Sequence, residues 1–431
     1  MSSCTRLFND LEPDAVRCPY KVYDELREGP PQWVPELEAY PITRFADVQQ
    51  VLGDAAMFSS QMVKGPIPMR EMTQVLQSLA AEDPAFAAML KNDIMMAPVL
   101  LAAGGEEHRR RRALVNSAFT PKRVKSMEAD IAGIARRLVD RFVDRGEVEL
   151  VSAFAGPLPL TVIARSIGVP DDNLDVFKRW SADLFAPLGV NRPSKAMMEA
   201  FLRSQQEFIA YFSERIEARR ESSGDDILSD LVRAEEDGHR LTRKETLVIC
   251  FELLAAGNET TANLISATML MLTQKPELMA AVREDPSRLP MLIEESLRLE
   301  GPIQSFYRTA TADTTVGGVP IPAGSHLLLV YGAANRDERQ FVRPDAVDLE
   351  RDNTKTHVAF GRGAHGCPGS LLARTEARIA LETLLTRLEH IELAVAPDAL
   401  LYVPSYVARG VLGLPLRFRA RLGSPVAPTS A

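Results

Sequence analysis

Apolar residues recur at helical spacing through most of the middle of the chain. Segments 122–145 and 203–220 each place an apolar stripe along one face of a helix. Segment 242–274 differs because it is apolar on nearly every side, and it begins with Thr242 and Glu245 at the spacing of a capping box. This pattern predicts one continuous helix of about 33 residues, roughly 50 Å long, that runs through the centre of the protein.

Strand-like patterns occur mainly in the second half of the chain. Segments 314–318 and 326–331 flank a Pro/Gly-rich turn at 320–324, which predicts a hairpin. Helical spacing resumes at 371–388, and short β segments are indicated within 401–419. We therefore predict a mainly α fold with a minor β region.

Composition is typical of a folded soluble protein, with 46% hydrophobic and 25% charged residues. With no internal repeat and no linker, we expect a single domain over 1–420 and a flexible tail over 421–431. The net charge of −8 disfavours nucleic acid as a partner. The chain shows no secretory signal, and its longest uncharged apolar stretch, 260–274, is shorter than the roughly 20 residues of a membrane span. Four cysteines without a CxxC pair favour a cytoplasmic protein with reduced thiols and no membrane anchor.

The most specific chemical feature is the stretch 360–369, Phe-Gly-Arg-Gly-Ala-His-Gly-Cys-Pro-Gly. Its glycines allow the backbone to bend tightly and to approach a flat partner closely. Cys367 stands just before a predicted helix, where the helix dipole and free N–H groups favour a thiolate. Such a thiolate could ligate a metal or act as a nucleophile, but a buried structural cysteine agrees equally well with composition alone.

The pattern Phe-Gly-x-Gly-x-His-x-Cys-x-Gly, followed by Leu-Ala-Arg at 372–374, resembles the cysteine-ligand loop of the cytochrome P-450 family, the haem-thiolate monooxygenases. Further family motifs follow in the expected order over most of the chain. The resemblance implies the cytochrome P-450 fold, a large helical part plus a small sheet-rich part, and haem b as cofactor. It also implies that Cys367 is the axial ligand of the haem iron and that Phe360 shields its sulfur.

Within the predicted central helix, residues 256–261 (Ala-Gly-Asn-Glu-Thr-Thr) resemble the family's oxygen-activation motif. The resemblance implies that Gly257 leaves room over the iron, and that Glu259 and Thr260 pass protons to bound dioxygen. Without the resemblance, such a polar cluster is more often an inter-helix hydrogen bond. Burying Glu259 without a purpose is nevertheless costly.

Haem carries two propionates, which require cationic or hydrogen-bonding partners. His108 and Arg112 are four residues apart on one helical face and resemble the family's His-x-x-x-Arg motif. Arg308 and His357 match two further propionate positions. The other arginines of the run 109–112 are also compatible with a solvated basic face.

Glu295 and Arg298 match the family's Glu-x-x-Arg, a structural ion pair on one helix face. We assign this pair to folding around the haem loop. A long Met-rich stretch, 62–101, is expected to form the distal lid. The predicted substrate pocket is apolar, and matching family segments assign to it Val99, Leu100, Phe185, Leu188, Leu254, Ala255, Phe306, Tyr406 and Val407.

The resemblance implies an enzyme that inserts one oxygen atom of O2 into a small hydrophobic substrate by hydroxylation, O-demethylation or epoxidation. The chain contains no flavin or iron–sulfur segment, so electrons from NAD(P)H are expected to arrive through a ferredoxin and a ferredoxin reductase. Arginines left over from propionate binding, together with Lys122, Arg123 and Arg362, predict a basic patch that steers an acidic ferredoxin.

Alternative functions remain compatible with these motifs. A peroxide-dependent peroxygenase has the same fold, although such enzymes typically lack the acid–alcohol pair. A non-catalytic haem-binding protein is a further alternative. A cysteine hydrolase using Cys367 and His365 is disfavoured, because residues two apart in a glycine-rich loop rarely align as nucleophile and base.

Overall fold

The computed structural model describes residues 4–91, 99–188, 190–222, 224–236 and 238–421. The predicted tail over 421–431 lies outside these residues, except for Arg421. The helices are α1 (Pro13–Arg17), α2 (Tyr20–Glu28), α3 (Phe45–Gly53), α4 (Pro66–Glu82), α5 (Pro84–Leu90), α6 (Gly105–Ala118), α7 (Pro121–Asp140), α8 (Pro157–Ser166), α9 (Leu174–Phe185), α10 (Lys195–Glu221), α11 (Ile227–Arg233), α12 (Arg243–Gln274), α13 (Pro276–Glu284), α14 (Leu289–Glu300), α15 (Tyr331–Ala334) and α16 (Ser370–Arg387).

The strands are short and form small sheets. They are β1 (Tyr40–Ile42), β2 (Phe58–Ser59), β3 (Glu147–Glu149), β4 (Glu235–Glu236), β5 (His239–Arg240), β6 (Ser305–Ala310), β7 (Thr314–Val316), β8 (Val319–Ile321), β9 (His326–Val330), β10 (Leu388–Leu393) and β11 (Pro415–Ala420). A four-stranded sheet has the order β1-β9-β6-β2, in which β1 and β9 are parallel. A three-stranded sheet has the order β10-β11-β3, and β4-β5 and β7-β8 form two-stranded hairpins. The predicted mainly α fold with a minor β region is confirmed.

The central helix α12 follows its prediction closely. The Thr242 side chain accepts a hydrogen bond from the N–H of Glu245, and the Glu245 carboxylate accepts from the N–H of Thr242, which completes the capping box. The helix is 32 residues long and therefore spans about 48 Å. It packs against α8, α9, α10, α14 and α16. Because α12 is enclosed on several sides, any polar side chain along it lies close to the protein interior.

The hairpin that begins at β7 has a different partner strand from the one predicted. Strand β7 pairs with β8, the strand directly after it, rather than with β9. The turn between them consists of Gly317 and Gly318, with φ of 57° and 79°. Two consecutive residues with positive φ form the tight connection that matches strand twist, so the chain closes this hairpin early. Strand β9 is thereby free to pair with β1 and β6.

The ion pair predicted on α14 is present and completely buried. Arg298 donates to both carboxylate oxygens of Glu295, at 2.7 and 2.8 Å. Its guanidinium also donates to the carbonyl oxygens of Asn335, Pro344 and Ala346. The pair thus fixes the long segment between β9 and the glycine-rich loop, which agrees with the structural role expected from the sequence.

Membrane insertion of a helix finds no support in the fold. No helix in the part of the chain that the structure describes is long and apolar enough to cross a membrane.

Candidate active site

The loop that carries Cys367 is bent as its glycines predict. Gly361 and Gly363 have φ of 65° and 67°, a backbone region that favours glycine. A Cβ atom on Gly363 would lie 2.6 Å from the carbonyl oxygen of Leu52, so only glycine permits this approach to α3. The N–H of Cys367 donates to the carbonyl oxygen of Phe360 at 2.9 Å and closes the loop.

The thiol of Cys367 lies two residues before the N-cap Gly369 of α16. Burial raises the pKa of this thiol, and the Gly369 N–H and the charges of Arg112 and Arg374 lower it by less. The expected preference for a thiolate is therefore not met by the polypeptide alone, because desolvation outweighs the helix terminus. A coordinated metal cation would supply the missing stabilisation, since coordination deprotonates a thiol.

Phe360 is held against the start of α16. The guanidinium carbon of Arg374 lies 4.5 Å from the centroid of the Phe360 ring. Arg374 is itself fixed by hydrogen bonds to Glu294. The aromatic ring at the head of the cysteine loop is thus immobilised, as a shield for the sulfur requires.

The structure does not support the predicted propionate role of His357. Its Nε2 lies 3.1 Å from the Glu294 carboxylate, and its Nδ1 accepts the N–H of Ala359 at 3.2 Å. Both ring nitrogens are therefore engaged within the polypeptide. Burial raises the pKa of Glu294, but hydrogen bonds from His357 and Arg374 outweigh it and lower this pKa to about 2. His357 belongs to a buried ionic cluster that joins α14 to α16.

A second histidine, His365, has the surroundings expected of a propionate ligand. Its ring stacks on His108, with centroids 4.1 Å apart and planes at 29°. Burial and the nearby charges of His108, Arg308 and Arg112 lower the pKa of His365 to about 3, so the ring is neutral near pH 7. The sequence contained a signal for this residue, because His365 is the fixed histidine of the loop motif.

His108, Arg112, Arg308 and His365 form a cluster that we call the cationic cluster. Arg308 is 3% exposed, and within the described ranges its guanidinium donates only to the carbonyl oxygen of Tyr307, at 2.8 Å. The buried Nε2 of His108 finds no hydrogen-bond partner in the same part of the chain. Among the described residues, neither Arg112 nor Arg308 contacts a carboxylate. Buried cations without an anion are costly, so this donor set fits the two carboxylates of a haem.

Ala256 and Thr260 lie one turn apart on α12, and we call the face that carries them the inner face. Ala256 is exposed although it lies in the middle of an enclosed helix. Thr260 lies one turn later, and its Oγ1 donates to the Ala256 carbonyl oxygen at 2.6 Å. Gly257 points elsewhere, because a Cβ atom there would touch Ile163 of α8 at an ordinary 3.7 Å. The open space that the sequence assigned to Gly257 is therefore beside Ala256.

Glu259 is an enclosed acid on α12 that interacts electrostatically with Lys178 of α9. Its carboxyl has no hydrogen-bond partner in the described residues, and burial raises its pKa more than the charge of Lys178 lowers it. Lys178 is exposed on α9 and lines a cavity of about 330 Å³ between α7, α8 and α9. Glu259 therefore keeps its proton to a higher pH than an exposed glutamate does.

A second acid on α12, Glu252, was not singled out in the sequence. It accepts a hydrogen bond from the N–H of Leu101 at 3.1 Å. Burial, partly offset by N–H groups of Leu100 and Leu101 and by the charge of Arg111, raises the pKa of Glu252 to about 7. Glu252 thus connects α12 to the segment before α6. Much of the predicted lid at 62–101 is helical as α4 and α5, while 92–98 lie outside the described residues.

The predicted substrate-pocket residues divide into two groups. Some retain accessible surface, as a lining residue must; these are Val99, Phe185, Leu188, Ala255 and Phe306. Others are buried in the hydrophobic core; these are Leu100, Leu254, Tyr406 and Val407. The second group offers a ligand little or no surface, so the structure does not place it in the pocket wall.

Helix geometry explains the difference at Leu254. Successive side chains are about 100° apart around a helix, so Leu254 lies about 200° from Ala256. It packs among residues of α8, α9 and α10, opposite the inner face. Tyr406 is engaged by other residues of the core: its ring packs on Phe8 and its hydroxyl donates to Asn191.

The expected basic patch is largely neutralised. Most of its arginines contact carboxylates: Arg109 with Glu106, Arg110 with Glu245, Arg111 with Glu107, and Arg123 with Asp225 and Asp230. Among the described residues, Lys122 and Arg362 are the members of the patch without such a partner. The patch is therefore smaller than the sequence suggested.

Comparison with known proteins identifies the family of the chain. A family model for Cytochrome P450 matches residues 169–398. Cytochrome P450 107B1 of Saccharopolyspora erythraea is 38% identical over 400 residues, which cover 92% of this chain and 94% of that protein. The Biotin biosynthesis cytochrome P450 of Bacillus subtilis is 35% identical over 406 residues, which cover 94% of this chain and 97% of that protein.

A solved structure gives the same result at the level of the fold. The structure of Cytochrome P450 CYP109Q5 from Chondromyces apiculatus matches with a TM-score of 0.82 and 36% identity, and the match covers 96% of this chain and 98% of that one. The family's haem b fits the cationic cluster and the enclosed thiol of Cys367. By its family model, its relatives and its fold, the chain belongs to the cytochrome P450 family of haem-dependent monooxygenases.

Proposed function

We propose that the protein inserts one oxygen atom of O2 into a small hydrophobic organic substrate, using electrons from a separate ferredoxin and its reductase. The observation that carries this proposal is the acid–alcohol pair of Glu259 and Thr260 on α12. Thr260 shares the inner face with exposed Ala256, and the adjacent Glu259 is an enclosed acid whose pKa burial raises. An enzyme that reduces O2 needs such a proton supply.

The residues that would hold the cofactor follow from the geometry of the site. Cys367 would ligate the iron, and the cationic cluster of His108, Arg112, Arg308 and His365 would bind the propionates. When bound, the haem supplies the iron centre at which dioxygen is activated.

Thr260 and Glu259 have separate roles in moving protons. The Thr260 hydroxyl donates its proton to the Ala256 carbonyl oxygen, so its lone pairs remain free to accept a hydrogen bond from water in the interior. Glu259 keeps its proton to a higher pH than an ordinary glutamate, because burial disfavours its charge. It can therefore deliver a proton inward and be reprotonated from the side where Lys178 lies.

The substrate would be selected mainly by an apolar wall. Val99, Phe185, Leu188, Ala255 and Phe306 retain accessible surface and carry no charge. Such a lining excludes water and favours substrates that match its shape. Hydroxylation, O-demethylation and epoxidation all agree with this arrangement.

The ferredoxin would approach the side of the molecule that carries the cysteine loop. Lys122 and Arg362 lack carboxylate partners in the described part of the chain and would attract an acidic partner. Because only these two charges of the expected patch remain free, we expect a modest dependence of the reduction rate on ionic strength.

The test replaces each member of the pair and measures product, hydrogen peroxide and NAD(P)H consumption together. Thr260→Ala should still bind substrate and consume NAD(P)H, but divert much of the electron flow to peroxide. Glu259→Gln should slow the whole cycle, because the proton supply itself is impaired. Thr273→Ala is the matched control, since Thr273 lies on the same helix and its hydroxyl also donates to a helix carbonyl oxygen.

Wild-type coupling in Thr260→Ala, combined with a wild-type rate in Glu259→Gln, would show that the pair only packs the helix. Product formation driven by added peroxide without redox partners would then identify a peroxygenase. A haem protein without turnover under either condition would be non-catalytic.

A further inference from the structure

Lys64, between β2 and α4, is an enclosed cation for which the described residues provide no partner. Its ammonium group makes no hydrogen bond and no ion pair with any residue that the structure describes. Burial alone lowers the pKa of Lys64, and no nearby charge contributes. A charged group enclosed in this way is costly unless an anion approaches it.

The chain neighbours of this lysine pack on β6, beside the active site. The carbonyl oxygen of Val63 accepts the N–H of Tyr307 at 3.1 Å. Gly65 lies against the Tyr307 ring so closely that a Cβ atom would be 2.5 Å from it. On β6, Tyr307 is flanked by Phe306, which has accessible surface in the predicted pocket, and by Arg308 of the cationic cluster.

Lys64 also faces an internal space. It is surrounded by protein on nearly all sides, yet its side chain keeps accessible surface. Cys367 and Glu259 combine deep enclosure with accessible surface in the same way. A side chain with both properties borders a cavity within the protein rather than bulk solvent.

The cationic cluster already provides for the haem. Arg112 and Arg308 offer two cations for two propionates, and His108 and His365 add hydrogen-bonding groups. Lys64 is therefore surplus to the cofactor. No carboxylate among the described residues compensates its charge, and the carboxylate of a ligand in the space near Phe306 would do so.

We propose that Lys64 is a specificity-determining residue that binds the carboxylate of a hydrophobic carboxylic acid substrate. The proposal rests on the proposed function, because it assumes that the substrate occupies the space near Phe306. It also changes the expected selectivity: an apolar wall selects by shape, whereas one enclosed ammonium group adds a strong preference for an anion. The uncharged remainder of the acid would lie along the apolar wall.

The test measures ligand binding by the haem-loaded protein through the substrate-induced change in its absorption spectrum. The probes are octanoate, decanoate and dodecanoate, each compared with its methyl ester. Charge-assisted hydrogen bonds predict that wild type binds at least one acid about 10- to 100-fold more tightly than its ester. Lys64→Met, which keeps the chain length but removes the charge, should abolish this preference and leave ester binding unchanged.

Two further variants serve as controls. Lys64→Arg retains a cation and should preserve most of the acid preference. Lys275→Met removes an exposed lysine that has no carboxylate partner among the described residues, and it should have no effect on either ligand. Because Lys64→Met also removes the cost of a buried charge, it should fold at least as stably as wild type, which a thermal melt will show.

Equal binding of every acid and its ester by wild type, or an unchanged preference in Lys64→Met, overturns the proposal. If Lys64→Met keeps the preference but loses haem faster to apomyoglobin, the carboxylate bound by Lys64 belongs to a propionate, and the proposal is also wrong. Failure of the proposed function can be distinguished from failure of this proposal. It would appear in the wild-type protein as turnover without product, regardless of whether acids bind more tightly than their esters.

Discussion

Replacing Arg308 with leucine should change haem binding and folding stability in opposite directions. Arg308 is 3% exposed and donates a single hydrogen bond, to the carbonyl oxygen of Tyr307 at 2.8 Å. It has no carboxylate partner in the described residues, so the haem-free polypeptide bears the cost of burying its charge. Leucine removes this cost and also removes one cation for the propionates.

The size of both effects can be estimated. A hydrogen bond to a charged group contributes roughly 1.5–3 kcal/mol, and 1.4 kcal/mol corresponds to a factor of ten in affinity. With Arg112 still present, Arg308→Leu should therefore weaken haem binding roughly 10- to 150-fold. The haem-free chain should gain stability on the order of 1 kcal/mol, because an uncompensated buried charge is replaced by an apolar group.

Two measurements test the prediction. Haem loss is followed as transfer to excess apomyoglobin, and stability of the haem-free protein is followed as urea unfolding by circular dichroism. Arg308→Lys should lie between wild type and Arg308→Leu, because lysine provides a point charge instead of a planar fork of donors.

Arg27→Leu is the control for loss of a buried arginine as such. Arg27 is 7% exposed and is paired with Asp24 and Glu338, far along the chain from the cationic cluster. Its loss should destabilise the fold and leave the rate of haem transfer unchanged. If Arg308→Leu behaves like this control, Arg308 is a structural residue and the reasoning is refuted.

Other predictions concern the ligand, the two histidines and pH. Cys367→Ser should abolish the thiolate-type spectrum of the reduced carbonyl complex, whereas Cys250→Ser, at a buried thiol in the helical core, should leave it intact; a normal spectrum in Cys367→Ser would contradict the ligand assignment. His365→Ala should speed haem transfer, while His357→Ala should lower the free energy of unfolding by roughly 1.5–3 kcal/mol without affecting transfer; the reverse result would restore His357 as the propionate ligand. Burial raises the pKa of Glu376 from 4.5 to about 8, so the folded state holds this proton after the unfolded state has released it, and stability should fall as pH rises through that window. Glu376→Gln should flatten this slope in thermal melts, and parallel profiles for the two proteins would refute it.

The sequence by itself determined the elements whose signals are local. The capping box at Thr242 and Glu245 and the long apolar run specify α12 almost to the residue. Gly361 and Gly363 specify the bend of the cysteine loop, because both have positive φ and Gly363 also lies too close to Leu52 for a Cβ atom. In each case the information lies within a few neighbouring residues, and the pattern can be interpreted without knowing what packs against it.

Tertiary structure decided which of several similar residues serves the site. His357 and His365 are eight residues apart, but Glu294 on another helix engages the first, and the second stacks on His108. Leu254 and Ala255 are adjacent, yet α8, α9 and α10 cover the former. Sequence spacing states which face of a helix a residue occupies, but not which face its neighbours will cover.

Tertiary structure also decided which charged side chains are neutralised. Arg109, Arg110 and Arg111 were compatible with an open basic surface, and carboxylates at Glu106, Glu107 and Glu245 neutralise them. Lys64 carried no recognisable motif, and only the fold encloses it where no described residue supplies an anion. The physical reason is that desolvation and ion pairing depend on groups distant in the chain, so the sequence specifies the charges while the packed structure determines which remain uncompensated.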